Sequence, residues 1–429
     1  MKMKKKYLIW FVFILSLVLL TACSSEKEKA NSDGGKKEIT VWTWPNNDQT
    51  FEEITVPLFE EEFPDIKVKV QAFPQGDYHK KLASALVANE GPDVAMVEIG
   101  NVINFKDMGM FENLNDAPYN ASEYKDGYLD YFWDYASTKD GYVFALPKNS
   151  GPAAMFYNKR VFKDAGLPTD PDGVHDLLKT WDDYIDLAEK LSISGKQWML
   201  ATPHKIVDAI VQQSGTSYFN GEGELLIDNE HFLYSYKLIE QLYAKDAIAP
   251  FEEWSPEWNA SIQNGTVATY LYGNWFGKYL KNNAEGSDGE WGVTYAPSYN
   301  GKSAYDNGGD FIGIVKTSKK KESAWEFVKF VTQNHKNLEE MYKKDDLYPT
   351  YLEVLDEDWM NNEDSFFGGQ ITNEIFKNVA EDMAAPFVTT NDPIASDGIK
   401  SLITNFTIGE MKMEEALDQA IKEIEARKK

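Results

Sequence analysis

The sequence predicts an α/β chain with two lobes, parallel-dominated sheets flanked by helices, and a cleft between the lobes. Three observations carry that reading. Residues 36–98 alternate strand, helix, strand, helix, strand. The alternation returns between residues 181 and 332. Beyond about Pro349 only helical patterns remain.

Residues 36–44 hold Ile39, Val41, Trp42 and Trp44, the β-branched and aromatic content of a strand. Phe51, Ile54, Leu58 and Phe59 then recur at helical spacing, and Pro64 closes that helix. Ile66, Val68 and Val70 alternate as a second strand, residues 78–89 form a helix with Leu82, Ala85 and Leu86 inward, and residues 93–98 form a third strand. A β-α-β-α-β order implies a parallel sheet covered on both faces, with ligands at the carboxyl ends of its strands. Trp44, Asn46 and Asn47 follow the first strand, and Glu98 and Asn101 follow the third, so both groups face one crevice. Trp42 is expected to point into the core instead. Downstream, helices are predicted over 181–191, 204–213 and 232–243, the last with Leu233, Tyr236, Ile239, Leu242 and Tyr243 as apolar positions. Strands are predicted over 198–201, 265–271, 291–296 and 311–315, with a Gly-rich turn at 306–310. A helix over 321–332 follows, and the final helix places Leu417, Ala420, Ile421 and Ile424 on one face. Two α/β units in one chain suggest two lobes.

The 429 residues carry 43 Lys and Arg against 69 Asp and Glu, a formal net charge of −26. Such a chain repels phosphate backbones and anionic lipid headgroups, which argues against nucleic acid as a partner and against electrostatic attachment to a membrane. Hydrophobic residues at 43% supply ample core and exclude global disorder. A single Cys rules out an intramolecular disulfide and a Cys-based zinc site.

That Cys has a telling position. Lys2, Lys4, Lys5 and Lys6 precede an apolar run over residues 8–20, too short to span a bilayer and right for the core of a secretory signal. Leu20-Thr21-Ala22-Cys23 resembles the lipobox of bacterial lipoproteins. Residues 1–22 therefore read as a lipoprotein signal peptide, Cys23 as the lipidated residue, and 23–37 as a flexible polar tether. The expected location is the extracellular face of the cell membrane, held there by the lipid.

Three further stretches carry a family resemblance. Residues 154–167, AMFYNKRVFKDAGL, followed by Thr180-Trp181-Asp182-Asp183-Tyr184, resemble the signature of family 1 extracellular solute-binding proteins. Residues 264–275, NGTVATYLYGNW, resemble that family's G-x-x-A-x-x-x-x-G-x-W strand. Residues 308–314, 324–330 and 347–349 resemble its late glycine strand, helix and Leu-x-Pro turn, in that order. The layout is similar to maltose-binding-protein-like sugar receptors, and closest to those of arabino-oligosaccharides, with which Gln213–Phe219 is a shared-looking stretch.

The resemblance implies a type II periplasmic-binding-protein-like fold that closes on its ligand. It places one lobe at 38–148 plus 304–350 and the other at 149–303 plus 351–429. It implies a monomeric receptor of an ABC importer that captures an oligosaccharide and passes it to permease subunits, with no cofactor and no catalysis. Sugars offer apolar C–H faces to aromatic rings and a belt of hydroxyls to polar groups. Trp275 matches the family's cleft Trp, with Gly273 and Asn274 beside it. Glu98 and Asn101 match the loop where members place groups that bind hydroxyls. Asn307, Gly308, Gly309 and Asp310 would bring backbone close to the ligand. Trp44, Asn46, Tyr348, Trp254 and Trp258 complete the candidate set. Tyr157 and Asn158 are expected to pack at the lobe crossing, and the five His to be structural. Asp170-Pro171-Asp172-Gly173 has an acidic spacing similar to a calcium loop, but Pro171 breaks the pattern and no metal is expected. HExxH, GxSxG and GxxxxGK[ST] are absent. Glycoside hydrolysis needs only two suitably spaced carboxylates, so a lipid-anchored glycosidase is the alternative.

Overall fold

The computed structural model describes residues 37–428. Cys23, the signal segment and the tether up to residue 36 lie outside the described residues. Among the described residues no helix is long and apolar enough to cross a membrane.

Nine strands form the sheet framework: β1 (Lys37–Thr43), β2 (Ile66–Ala72), β3 (Val94–Glu98), β4 (Leu146–Asn158), β5 (Trp198–Leu200), β6 (Val267–Gly273), β7 (Trp291–Thr294), β8 (Asp306–Ile314) and β9 (Tyr348–Pro349). Their order is β2-β1-β3-β8-β4-β6-β5, with β7 and β9 also pairing to β4. The pairs β1–β3 and β5–β6 are parallel, as a strand-helix-strand order requires. The pairs that β8 and β4 make are antiparallel, so the sheets are mixed rather than parallel-dominated. The cause is the return of the chain: β8 comes back between β3 and β4 and runs antiparallel to both, and β4 runs antiparallel to β6, β7 and β9.

All thirteen residues of β4 are buried. Its first half pairs with β8 and its second half with β6 and β7, so this one strand joins two sheet regions. The register shifts twice along β4, between Pro147 and Asn149 and between Ser150 and Pro152. Strand side chains alternate between faces, and beyond the shifts Ala154 and Phe156 enter one apolar cluster while Ala153, Met155 and Tyr157 enter another. The first cluster also takes β1, β3 and β8. The second takes the helices Trp181–Leu191, His204–Ser214, Glu230–Ala244 and the last two helices.

Local chemistry sets the helix boundaries. Thr180 and Asp183 form a reciprocal capping box at the start of Trp181–Leu191. Asn158 caps Lys159–Asp164, accepting from the Arg160 and Val161 N–H groups. Asp170 of the calcium-like stretch is the N-cap of Pro171–Leu177, its Oδ1 accepting from Gly173 N at 2.8 Å. The helix after β1 contains a π-turn, Phe51–Thr55, just before Pro57, which lacks an N–H and would clash in a regular helix interior.

Two expectations are corrected here. The Gly-rich stretch 306–310 is the first half of β8 rather than a turn, because Gly308 (φ 129) and Gly309 (φ 136) extend the chain in a region side-chain-bearing residues avoid. On Glu230–Ala244, Leu233 and Tyr243 are exposed at 47% and 43%, while Phe232 and Leu238 are buried, so the inward face is rotated.

Candidate functional site

The first five residues of β8 are the spine of the site. Glu98, at the end of β3, lies opposite Asp310 in the β3–β8 register. Asn149 and Ser150 of β4 oppose Asp310 and Gly309 on the other edge. The strand passes so close that a Cβ on Gly309 would sit 2.5 Å from the Phe132 ring and 2.9 Å from Asn149 O. Gln212 grips the start of the strand: its Nε2 donates to Asp306 O at 3.0 Å and its Oε1 accepts from Asp306 N at 2.8 Å.

Carboxyls converge beneath this spine. Burial pushes Glu98 up, and the Asp310 charge adds to the shift, while the Gly100 N–H and the Asn101 amide oppose it. Asn101 Nδ2 donates to Glu98 Oε2 at 3.1 Å, and the Glu98 N–H donates to His79 Nε2 at 3.2 Å. Burial lowers His79 to about 4, so its ring is neutral and can accept. Burial also raises Asp310, against the pull of Lys148. Lys148 is itself buried, and it donates to Asn47 Oδ1 at 3.2 Å and Asn149 Oδ1 at 2.9 Å. Asp306 is raised well above the usual range by burial, and its Oδ1 is buried with no hydrogen-bond partner. Tyr131 and Tyr135, one turn apart on the helix Asp130–Ala136, face Asp306. Asp392, at the start of the helix Asp392–Thr407, is raised to about 6 by burial. A buried acceptor without a donor costs free energy, so Asp306 Oδ1 favours a ligand that brings a hydroxyl donor to it.

The other end of the spine meets an aromatic rim. Trp275 Nε1 donates to Asn307 O at 2.7 Å, which fixes the indole against β8. A Cβ on Gly273 would lie 2.7 Å from both Asn307 O and Trp275 Nε1, so only glycine permits this approach. Trp254 lies 6.1 Å from Trp275 and is tilted by 33°. Beside Trp275 is a cavity of about 440 Å³, which Asn46, Asn47, Tyr279, Lys278 and Leu347 also line.

The structure therefore joins Asn46, Asn47 and Trp275 at one cavity, and Glu98, Asn101 and Asp310 in the nest, with Asn307, Gly308 and Gly309 between them. Four expected residues lie elsewhere. Trp44 is 5% exposed and packs against Tyr78 and His79, while Trp42, expected inside, is the partly buried one, donating to Gln71 Oε1 at 2.7 Å. Burial alternates along β1 through Ile39, Val41 and Thr43, which turns Trp42 away from the core. Tyr348 is fully buried and donates to Asn373 Oδ1. Trp258 is fully buried among Tyr270, Tyr272 and Phe276, its Nε1 on Thr202. Asn274 is 4% exposed and spends its amide N–H on Asp346 O. Asp306, Lys148, Tyr131, Tyr135 and Asp392 were not foreseen. The one sequence signal for the tyrosines is their spacing of four in an aromatic run, which reads equally well as core. Among the described residues no three His, Cys, Asp or Glu side chains are grouped so as to hold a metal ion.

The chain matches one protein family and is similar to a curated relative and to two solved structures. Residues 43–336 match the family described as bacterial extracellular solute-binding protein. The chain is 26% identical over 338 residues to an arabinooligosaccharide-binding protein of Bacillus subtilis (strain 168), covering 76% of each chain. Among solved structures, it is similar to an extracellular solute-binding protein of family 1, with a TM-score of 0.81, 19% identity, and coverage of 91% of this chain and 99% of that one. It is also similar to an ABC-transporter-associated binding protein of B. animalis subsp. lactis Bl-04 in complex with β-1,6-galactobiose, with a TM-score of 0.72, 24% identity, and coverage of 90% and 96%.

Proposed function

The chain belongs to the bacterial extracellular solute-binding proteins, and from that premise we propose that it is the lipid-anchored receptor of an ABC importer for an oligosaccharide. The observation that carries this reading is the continuity of β8, where Asn307 O fixes the Trp275 indole three residues before Asp310 pairs with Glu98. An apolar ring and a set of hydrogen-bond acceptors on one strand suit the two faces of a sugar. The names of the similar proteins, with an arabinooligosaccharide in one and β-1,6-galactobiose in another, support the same ligand class.

Capture works by closure of two lobes, 38–148 with 304–350 and 149–303 with 351–429. The bend falls at the register shifts of β4 and the start of β8, where pairing is already irregular. Sugar that touches both lobes stabilises the closed form, and the permease takes it from there. Cys23 carries the lipid, so Cys23→Ser should move the protein from the membrane fraction to the medium or block processing. The deciding experiment is titration with purified arabino-, galacto- and malto-oligosaccharides, with small-angle scattering at saturation and analysis of the recovered sugar. Tight binding, a smaller radius of gyration and intact sugar are expected. Failure of all three series to bind, or cleavage of the sugar, would overturn the receptor.

A further inference from the structure

A second, larger concavity lies on the far side of the aromatic rim. It has a volume of about 1160 Å³ and runs between the helix Asp392–Thr407 and the chain after β5 and around residues 243–253. Its inner end holds His204, Glu253 and Lys400, and Tyr243 and Ile408 flank its outer end, exposed at 43% and 60%. Lys400 and Ile408 are eight residues apart along the helix, so at 1.5 Å per residue the groove extends about 12 Å.

The inner end of the groove neighbours the site already described. The Lys400 charge acts on Glu98 of the nest. Glu253 Oε1 accepts from Tyr272 OH at 2.5 Å, and Tyr272 packs 5.7 Å from Trp275. Trp254, 43% exposed, directly follows Glu253 of the groove. Its φ of 67° is strained for a bulky side chain, and contacts with Tyr272 at 5.7 Å and Tyr279 at 5.1 Å hold it there. Tyr279 and Trp275, both within ring contact of Trp254, line the smaller cavity.

The lining also selects a chemistry. Trp198, Ile248, Phe251 and Ile403 give apolar walls, and Asp246, Glu252 and Glu253 set three carboxylates against the one Lys. Burial lowers His204 to about 4, so the ring adds no positive charge near neutrality. An anionic ligand is disfavoured there. A neutral polyol with apolar ring faces fits.

We propose that this groove is an extension of the cleft that takes the distal units of a sugar chain longer than two residues, with the chain crossing the exposed Trp254 indole. The proposal rests on the oligosaccharide reading and adds where the rest of the ligand goes and why longer chains bind better.

The test is calorimetric titration of the wild type and of Tyr243→Ala/Ile408→Ser with linear arabino-oligosaccharides of two to six units, and with galacto- and malto-oligosaccharides of the same lengths. Both substitutions are at exposed positions, and a melting curve checks that the fold is kept. In the wild type, affinity should rise by about tenfold or more from the disaccharide to the longer chains. In the variant that gain should vanish while the disaccharide binds as before. A wild type that binds a disaccharide with no gain on lengthening overturns the groove and leaves the receptor standing. So does a variant that keeps the full gain. If no sugar of any length binds, the receptor reading falls and the groove falls with it.

Discussion

The carboxyl nest and the aromatic rim share the first five residues of one strand, yet they are built on opposite terms. The nest is made of buried groups that would rather be in water: Glu98, Asp306 and Asp310 are all raised by desolvation. The rim is made of groups that gain from leaving water, and it keeps part of its surface open beside a cavity. The contrast teaches where stability and affinity should separate. Truncating an aromatic outside the ligand's reach should cost stability alone. Truncating one on the rim should cost affinity. Removing an acid from the nest should stabilise the free protein.

The largest effect is expected at the rim's hidden neighbour. Trp258 is fully buried beneath Trp254, with ring centroids 4.8 Å apart. Trp258→Ala opens a cavity among Tyr270, Tyr272 and Phe276, and should cost about 3–5 kcal/mol of stability. Chemical denaturation measures it, and sugar affinity in the folded fraction should stay near wild type. A large affinity loss with little loss of stability would move Trp258 into the rim.

Next comes Asp392, whose charge faces Tyr135 together with those of Asp306 and Glu98. Burial pushes its carboxyl up from the ordinary 3.8 to about 6 in the fold. A raised acid is penalised when ionised, so the penalty is absent below pH 4 and complete above pH 6. Asp392→Asn keeps an oxygen to accept from Thr389, which donates its N–H at 3.1 Å and its hydroxyl at 2.6 Å. The variant should match wild type near pH 4 and exceed it by about 2–3 kcal/mol at pH 7 to 8. Melting curves across that range decide it, and parallel curves would remove Asp392 from the nest.

Trp275→Ala should weaken sugar binding by about 2 kcal/mol, roughly thirtyfold. Its melting temperature should fall less than that of Trp258→Ala, because the ring is only partly buried. Trp275→Phe should retain part of the stacking, although it loses the hydrogen bond to Asn307 O. A steep fall in melting temperature with unchanged affinity would return Trp275 to the core.

The two regions were also unequally legible. The rim announces itself locally: Gly273, Asn274 and Trp275 follow an apolar strand, and a glycine before a strand-end Trp is a readable close approach. The nest does not. Asp306 reaches the nest only because β8 lies beside β4, and Asp310 because β8 also lies beside β3, long-range pairings that no local period encodes. The same blindness affected the glycine stretch: Gly308-Gly309 reads as a turn from composition, and only tertiary pairing stretches it into a strand. Trp44 and Trp42 exchanged burial for a related reason, since alternation along β1 was readable while the end of the strand was not. The strand-helix order and most helix faces were legible because desolvation acts on them residue by residue.

The smallest effect tests the boundary between rim and core at Tyr348. This residue was a stacking candidate from its place in the family pattern, and the structure puts its ring at the β9 crossing with no exposure. Its hydroxyl donates to Asn373 Oδ1 at 2.9 Å, and Asn373 Nδ2 in turn donates to Asn361 Oδ1 at 3.3 Å. Tyr348→Phe keeps the ring and removes one donor, which leaves a buried amide oxygen unpaired. A net hydrogen bond contributes about 1 kcal/mol, so stability should fall by about that amount. Sugar affinity should not change, because the hydroxyl points to Asn373 rather than to the cavity beside Trp275. Denaturant titration and calorimetry on the same preparation separate the two. If affinity falls while stability holds, Tyr348 touches the ligand, and the core beneath the rim is thinner than the packing of Trp258 and Tyr348 implies.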